Sequence, residues 1–470
     1  MELVDYQWQS SVLEKTPSLE DGDAQIEAVT VGFGDVYLNP ETLEPERLSS
    51  GDPYLPAGCR STECAEVFQG GQVDMDRLRA EFHLKSGQAW SDGEPLTVAD
   101  SIFSFELAGH PDTPTSKYLF TRTFAYRQLE ELSLEWIGIP GFLDADYASN
   151  FWTPLPEHQL GQIPPADLLA EPEASVNPMG YGPYQIEQWQ PGQQLVMNRN
   201  PEFNGEQAAE QGFDRLIFRF IGPDSSNALD QFTAGECDVL DESLLPAASL
   251  EQAGLAVGQA EGTLEVVPGS IVERMEFGLR PALGSEFLHL LDQQELRRAL
   301  ASCIDRAGLA QQLFGLDVTA PASFLPVEHP FYSPGDDPVA YDPAGAAQQL
   351  DELGWLLPEG GDIRVALGVD GLANDTPLSF TAYSLPGDLQ HETMGLIQQD
   401  LADCGVGLQI ETLPADQLFE AWPEGPIFGR KFQWALWAWP TFHSPACEMF
   451  AGWEFPSQEN PLGINASGYA

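Results

Sequence analysis

Apolar and polar residues alternate in short blocks through the first part of the chain. AQIEAVTVGFGDVYL puts residues two apart on one face, so short strands are expected over residues 25–50. A loop bearing Cys59 and Cys64 follows. LRAEFHLKSGQAW then reads as a strand entering a turn at Asp92-Gly93. Thr97 is a good helix N-cap and Asp100 stands three residues on, the spacing of a capping box. Ile102, Phe103, Phe105 and Leu107 carry that helix to Gly109. Residues 111–175 are rich in proline and broken, with one strand-like run at LSLEWIGI. YQIEQW and QQLVMNR form a hairpin across Pro191-Gly192, RLIFRFI is a further strand, and NALDQFTAGECDVL reads as helix, Gly235 and strand.

The second half has a different texture. QELRRALASCIDRAGLAQQLF is amphipathic at helical spacing over 293–314. Residues 342–353 repeat the device, with Asp342 as N-cap, Pro343 at the first helical position and Gly354 as stop. LSFTAYSL and GLQIETL are strands flanking the helix HETMGLIQQDLADC, which Gly405 stops, and FQWALWAW is a strand of high aromatic density. Strand–helix–strand order of this kind predicts an α/β lobe. Two lobes are expected, meeting near residues 262–275.

Charge narrows the partners. Twenty Lys and Arg against 73 Asp and Glu leave a net charge of −53, where soluble domains carry a magnitude of about 2–8. A phosphate backbone or an anionic lipid surface needs a basic face, so nucleic acid and anionic membrane are excluded as partners. The acids are spread along the chain, which reads as a solvated anionic surface suited to a salty or acidic habitat. The same field would draw cationic ligands into a cleft. A hydrophobic share of 43% with 11 Trp excludes a disordered acidic tail. No apolar run is long enough to cross a membrane, and Met1 is followed by Glu2 and Asp5 rather than by a signal peptide. The chain is then either cytosolic or trimmed of a leader, and the cysteines favour the second. Cys59 and Cys64, five residues apart in a Pro/Gly-bearing loop, suit a local disulfide in an oxidising compartment; zinc is the rival, without a ligand cluster beside them. Pairing of Cys237, Cys303, Cys404 and Cys447 is not deducible from spacing, and a buried free thiol is an alternative for Cys303.

Catalytic patterns are absent. None of the seven His makes a metal pair, and there is no GxSxG elbow, P-loop or GxGxxG. Asp92 in WSDG and Asp238 in ECDV are the most suggestive acids, but turn capping explains both. No cofactor or metal is expected.

EFHLKSGQAWSDGEPLTVADSIFSFE (81–106) resembles the signature of the extracellular solute-binding proteins of family 5, the receptors that feed dipeptide, oligopeptide and nickel ABC transporters. Phe82, Leu84, Gly87, Trp90, Ser91, Asp92, Gly93, Pro95, Thr97, Ala99 and Asp100 fit the pattern; Lys85 stands for the usual Arg, and Val98 interrupts Thr-Ala. Further segments follow in family order: GYGPYQIEQWQPGQQLVMNRNPEF, FDRLIFRFIGPDSSNALDQFTAGECDVL, ELRRALASCIDRAGLAQQLFG and YDPAGAAQQLDELGW. The likeness spans roughly residues 25–470.

The resemblance implies a two-lobed α/β fold of the periplasmic-binding type, with an extra small domain inserted in lobe I. Lobe I is expected over 1–265, including the insert at about 50–175, and lobe II over 266–470. The family continues past an Asn-x-x-Gly-Tyr segment, so a fragment truncated at its C-terminus is expected, with Cys447 lacking a downstream partner and Cys303–Cys404 a candidate pair within the second lobe. The function implied is an extracytoplasmic receptor that captures peptides or other small organic solutes by hinge closure and hands them to an ABC permease. It would be a monomer, not an enzyme, periplasmic or at the cell surface, and lipid-anchored in the full-length protein. The alternative from the residues alone is a secreted carboxylate-dependent hydrolase of glycosidase type.

Peptide-binding members place an Asp shortly after a strand Trp to receive the peptide's amino terminus. Trp439 aligns with that Trp, and Phe442 stands at the Asp position. An apolar, aromatic or sugar ligand stacked on Trp gains weight from this change. Trp437 and Trp439 share one strand face and are either cleft wall or core. Phe442 and His443 follow in a loop. Arg274 and Glu276, in VERMEFGL, lie on a strand that borders the family's cleft; their alternatives are hinge ion pairs or solvated charges. These six are the candidate substrate-binding residues.

Overall fold

The computed structural model describes residues 2–4, 6–113, 115–204, 212–221, 228–241, 250–267, 269–279, 290–315, 320–333, 335, 339–458 and 460–469. The chain divides into two compact units, Met1–Gly222 and Pro223–Ala470. The expected lobe boundary at 265/266 falls inside the second unit.

In the first unit, β1 (Ala24–Gly32), β2 (Gln72–His83), β3 (Thr123–Glu130) and β4 (Ser133–Gly138) form an antiparallel sheet ordered β1-β2-β4-β3. Helix α1 (Val98–Gly109) carries the capping box read from the sequence: the Thr97 hydroxyl accepts from the Ala99 N–H, and the Asp100 carboxylate accepts from the Thr97 N–H. The core under it gathers Phe82, Trp90, Leu134 and Trp136, each at most 1% exposed. Central β4 also buries Glu135, which is affordable only because Arg79 (2.9 Å) and Arg127 (2.7 Å) pair with it. Burial pushes the Glu135 carboxyl up, but the two guanidiniums outweigh burial and hold it below its usual range. The hairpin β5 (Tyr184–Gln190) and β6 (Gln194–Arg199) joins β7 (Arg215–Arg219) in a three-stranded sheet.

The WSDG turn is structural. Trp90 is buried edge-on against Tyr181 at 5.2 Å. Asp92 accepts from the Glu94 N–H at 3.1 Å and pairs with His158 at 3.0 Å. Cys59 and Cys64 are joined by a disulfide, with Cα atoms 5.9 Å apart.

In the second unit, β8 (Ile271–Phe277), β9 (Ser379–Ser384), β10 (Gly407–Thr412) and β11 (Trp434–Pro440) form a mixed sheet ordered β8-β11-β9-β10. Strands β9, β10 and β11 run parallel, and β8 is antiparallel to β11. Parallel neighbours need a crossover, and α5 (Asp388–Asp403) supplies it between β9 and β10. The expected helix over 293–314 is instead two, α2 (Gln294–Ser302) and α3 (Arg306–Phe314). Asp305 breaks it: its side chain accepts from the Gly308 N–H and starts the second helix, an N-cap inside an apolar pattern that hydrophobic spacing does not reveal. Helix α4 (Pro343–Glu352) begins at Asp342 as read from the sequence, its carboxylate accepting from the Gly345 N–H. CDVL forms no strand; Val239 is 82% exposed, and among the described residues no neighbouring strand offers a ladder. Asn227, which opens that stretch, lies outside the described residues.

Leu296, Leu300, Leu350, Trp355, Phe380, Leu401 and Trp434 make the core between the sheet and these helices. Cys303, at the end of α2, and Cys404, at the end of α5, are disulfide-bonded within it.

Candidate functional site

The ladder between β8 and β11 decides which side chains meet. Arg274 pairs with Trp437, Val272 with Trp439 and Glu276 with Ala435. Directly opposite residues share a face, so Arg274, Glu276, Trp437 and Trp439 all stand on one side of the sheet. Four of the six candidate residues are thereby brought together, although some 160 residues of chain separate the two strands.

Within that face the Arg274 guanidinium sits 3.6 Å from the Glu276 carboxylate, 5.8 Å from the Trp439 ring centre and 3.9 Å from the Met449 sulfur. The ion pair is long and the side chains are mostly covered, at 15% and 18% exposure. Burial lowers the Arg274 pKa and Glu276 pulls it back only in part. Burial raises the Glu276 carboxyl, opposed by Arg274 and by the Trp439 indole beside it. Desolvation therefore outweighs the attraction in both partners, as expected for charges held close but without a short hydrogen bond.

Among the described residues, two donors on this face are buried without an acceptor, Nε of Arg274 and the indole nitrogen of Trp437, while the Trp439 indole turns toward the Glu276 carboxylate. A buried donor left unpaired costs about 1–3 kcal/mol, so clustered orphans mark either a cost of packing or a place where something else supplies acceptors.

The six residues differ in access. Trp437 is 3% exposed, edge-on to Phe432 at 5.6 Å and Phe419 at 6.4 Å, and forms the backing of the face. Trp439 is half-buried. Phe442 is 49% exposed and lines a small recess with Arg274 and Trp439. Its backbone carbonyl lies 2.8 Å from His329 Nε2. His443 packs against Phe331 at 6.4 Å. It is not among the residues that line that recess.

A larger cavity of about 600 Å³ runs along β8. Among the described residues β8 pairs only with β11, so its outer edge is open and both faces contribute. Glu273, Met275 and Phe277 enter from one side, and Arg274 and Glu276 from the other. Leu309 and Leu313 of α3 and Phe324 give it an apolar wall. Sequence reasoning passed over Glu273, Phe324 and Met449. Glu273 was visible in the VERMEFGL alternation; the other two are placed by loops whose course no local pattern encodes. The described residues hold no group of three or more His, Cys, Asp or Glu that could bind a metal ion.

Among the described residues of this face no nucleophile stands beside a base. The face offers one cation, one anion, aromatic planes and unpaired donors, which is the equipment of recognition.

Residues 65–461 match the family described as bacterial extracellular solute-binding proteins, family 5 Middle. The chain belongs to that family. Family 5 members are binding proteins, and among the described residues no helix is long and apolar enough to cross a membrane. A putative ABC transporter peptide-binding protein of Brucella ovis is 24% identical over 357 residues, covering 74% of this chain. The chain spans 60% of that relative's length. The oligopeptide-binding protein AppA of Bacillus subtilis is 25% identical over 431 residues, covering 87% of this chain and 72% of its own. Among solved structures, the oligopeptide-binding protein of Thermus thermophilus complexed with a pentapeptide has a TM-score of 0.64 at 17% identity, covering 99% of this chain and 78% of that one. NikZ of Campylobacter jejuni with Ni(L-His) has a TM-score of 0.59 at 17% identity, covering 93% and 78%. These likenesses establish the fold class as the two-lobed α/β type of the solute-binding proteins.

Proposed function

We propose that the chain is the solute-capturing part of an ABC importer receptor that takes peptides or other small organic solutes and delivers them unchanged to a membrane permease. The observation that carries this reading at the level of residues is the sheet face of Arg274, Glu276 and Trp439 with its unpaired N–H donors. A peptide or other carbonyl-bearing solute would bring the acceptors those donors lack. Phe442, where peptide-binding relatives have an acid, turns recognition of one end of the ligand from ionic to apolar or stacking. Trp437 backs the face, and His443 follows Phe442 in the adjoining loop.

In this reading lobe I extends over 1–265 with a small insert at about 50–175, and lobe II over 266–470. Closure on a hinge is driven by a ligand that contacts both lobes, since contact with one alone gives no differential stabilisation. The protein works as a monomer outside the cytoplasmic membrane, held there by a lipid anchor, and performs no chemistry on its ligand.

The test is a thermal-shift screen of the chain in high and low salt against peptides, oligosaccharides, polyamines and metal chelates. A ligand at a hundredfold excess over its Kd stabilises by about 2.7 kcal/mol. One chemical class raising the melting temperature, and recovered intact, supports the receptor. Product in the hit wells overturns it.

A further inference from the structure

A buried histidine joins the Phe442 loop to a segment 113 residues earlier in the chain. His329 is 3% exposed. Its own turn fixes its backbone: the His329 N–H donates to the Pro326 carbonyl at 3.1 Å, and its carbonyl accepts from the Tyr332 N–H at 2.8 Å. The ring is held at both nitrogens. Nδ1 lies 3.1 Å from the Phe331 backbone nitrogen, and Nε2 lies 2.8 Å from the Phe442 carbonyl oxygen. Both partners are main-chain groups, an N–H that only donates and a carbonyl that only accepts. Nδ1 is therefore bare and accepts from Phe331, while Nε2 carries the proton and donates to Phe442. On the other side of the bond, Thr441 is tied to the Ser270 carbonyl through its N–H (2.7 Å) and its hydroxyl (2.6 Å). The His329 bond fixes the next peptide plane, and with it the course of the loop that presents the Phe442 ring beside Arg274 and Trp439.

We propose that His329 is a positioning residue for Phe442: its neutral ring pins the loop at the recess, and a proton on Nδ1 releases it. Protonation makes both ring nitrogens donors. Nδ1–H would then face the Phe331 N–H, donor to donor, and burial adds the cost of taking the new charge out of water. Acid therefore favours an arrangement in which the ring leaves Phe331, and the ring cannot turn from Phe331 without moving its bond to Phe442. Among the described residues, the other titratable or charged groups around the pin are Glu328 and Tyr332 on its own segment, His443, Cys447 and Glu448 on the Phe442 side, and Arg274 in the recess. Glu328, Cys447 and Glu448 are exposed, the Tyr332 hydroxyl accepts from the Ala322 N–H, His443 packs on Phe331, and Arg274 faces Glu276. The consequence for capture, a recess that loosens in acid, rests on the receptor reading; the pin itself does not.

A fluorine label on the Phe442 ring, read by fluorine NMR in the whole chain with no solute added, follows the loop directly. One held signal is expected at about pH 7.5. Toward about pH 5 a second, released signal should grow, by up to about tenfold per pH unit, the dependence of a one-proton step. His329→Gln keeps a donor near the place of Nε2 and does not titrate, so it should keep the held signal across the same range. It also separates His329 from His443, the other imidazole beside the loop. His329→Leu removes the donor and should show the released signal throughout. A signal indifferent to pH in the unaltered chain, an acid response that survives His329→Gln, or a held signal in the His329→Leu variant would each overturn the proposal. With no solute present, none of these outcomes bears on the thermal screen, and a failed screen leaves the pin standing.

Discussion

Replacing Cys303 and Cys404 by alanine together should weaken the second unit far more than cutting the Cys59–Cys64 bridge weakens the first. The reason is the length of chain each bond closes. Cys303 and Cys404 are 101 residues apart, and Cys59 and Cys64 only 5. In the chain-entropy account, cross-linking removes about 4.7 kcal/mol of denatured-state freedom for the long loop and about 2 kcal/mol for the short one. The long bridge also ties α2 to α5 inside the core, where Cys303 and Cys404 are 1% and 3% exposed. A two-unit chain need not unfold in one step, so a single melting temperature is a poor reporter. Hydrogen exchange read on peptides from α2 and α5 measures the opening free energy where the bond acts. The alanine pair should lower it by several kcal/mol, and so should a reductant added to the unaltered chain. A loss below about 1 kcal/mol in both arms would refute the reasoning, because it would mean the bond constrains neither state.

Three further outcomes follow from the same structure. Arg274→Met should destabilise the second unit by about 1–3 kcal/mol, by stranding a mostly buried Glu276, and the pair Arg274→Met with Glu276→Gln should recover much of that loss in a urea double-mutant cycle. Thr97→Ala should cost the first unit about 1 kcal/mol in denaturant unfolding, since it removes one half of the capping box. Glu276 is raised above the ordinary Glu value of 4.5 by burial, so the folded state holds its proton more tightly than the unfolded one. Its contribution to stability is complete below that value and is lost as pH rises through the raised one, a fall that a pH series of melts should show.

Where local chemistry decides structure, the sequence was a sufficient guide. Thr97 with Asp100 and Asp342 with Pro343 start helices by hydrogen bonds that span three residues, and both helices begin there. LSFTAYSL and the aromatic-rich FQWALWAW likewise form strands, Ser379–Ser384 and Trp434–Pro440. The helix over 293–314 was misread because Asp305 sits inside an unbroken apolar period, and only its side-chain hydrogen bond to Gly308 reveals the break. CDVL has strand composition but no partner strand among the described residues, and a strand is a property of the ladder rather than of the segment.

The candidate site was legible in pieces. A two-residue period puts Trp437 and Trp439 on one face, and Arg274 and Glu276 on one face, from sequence alone. That the two faces are the same face is a matter of register, Arg274 opposite Trp437, which no single strand encodes. The same register turns Glu273 to the other side, with Met275 and Phe277, where it lines the cavity along β8. Family resemblance pointed to the strand but not to this residue. The exposure of Phe442 against the burial of Trp437, two side chains five residues apart, separates surface from support in a way that hydrophobicity does not.

The measurement that bears most directly on the receptor reading is a calorimetric titration of the chain with the solute class the thermal screen selects, repeated with Trp439→Ala and with Thr97→Ala. A receptor whose ligand lies on the β8–β11 face predicts one-to-one binding that weakens about tenfold or more in the Trp439 variant, the scale of a lost stacking contact, and stays unchanged in the Thr97 variant. Affinity indifferent to Trp439, or heat that continues to evolve as the solute is consumed, would contradict it.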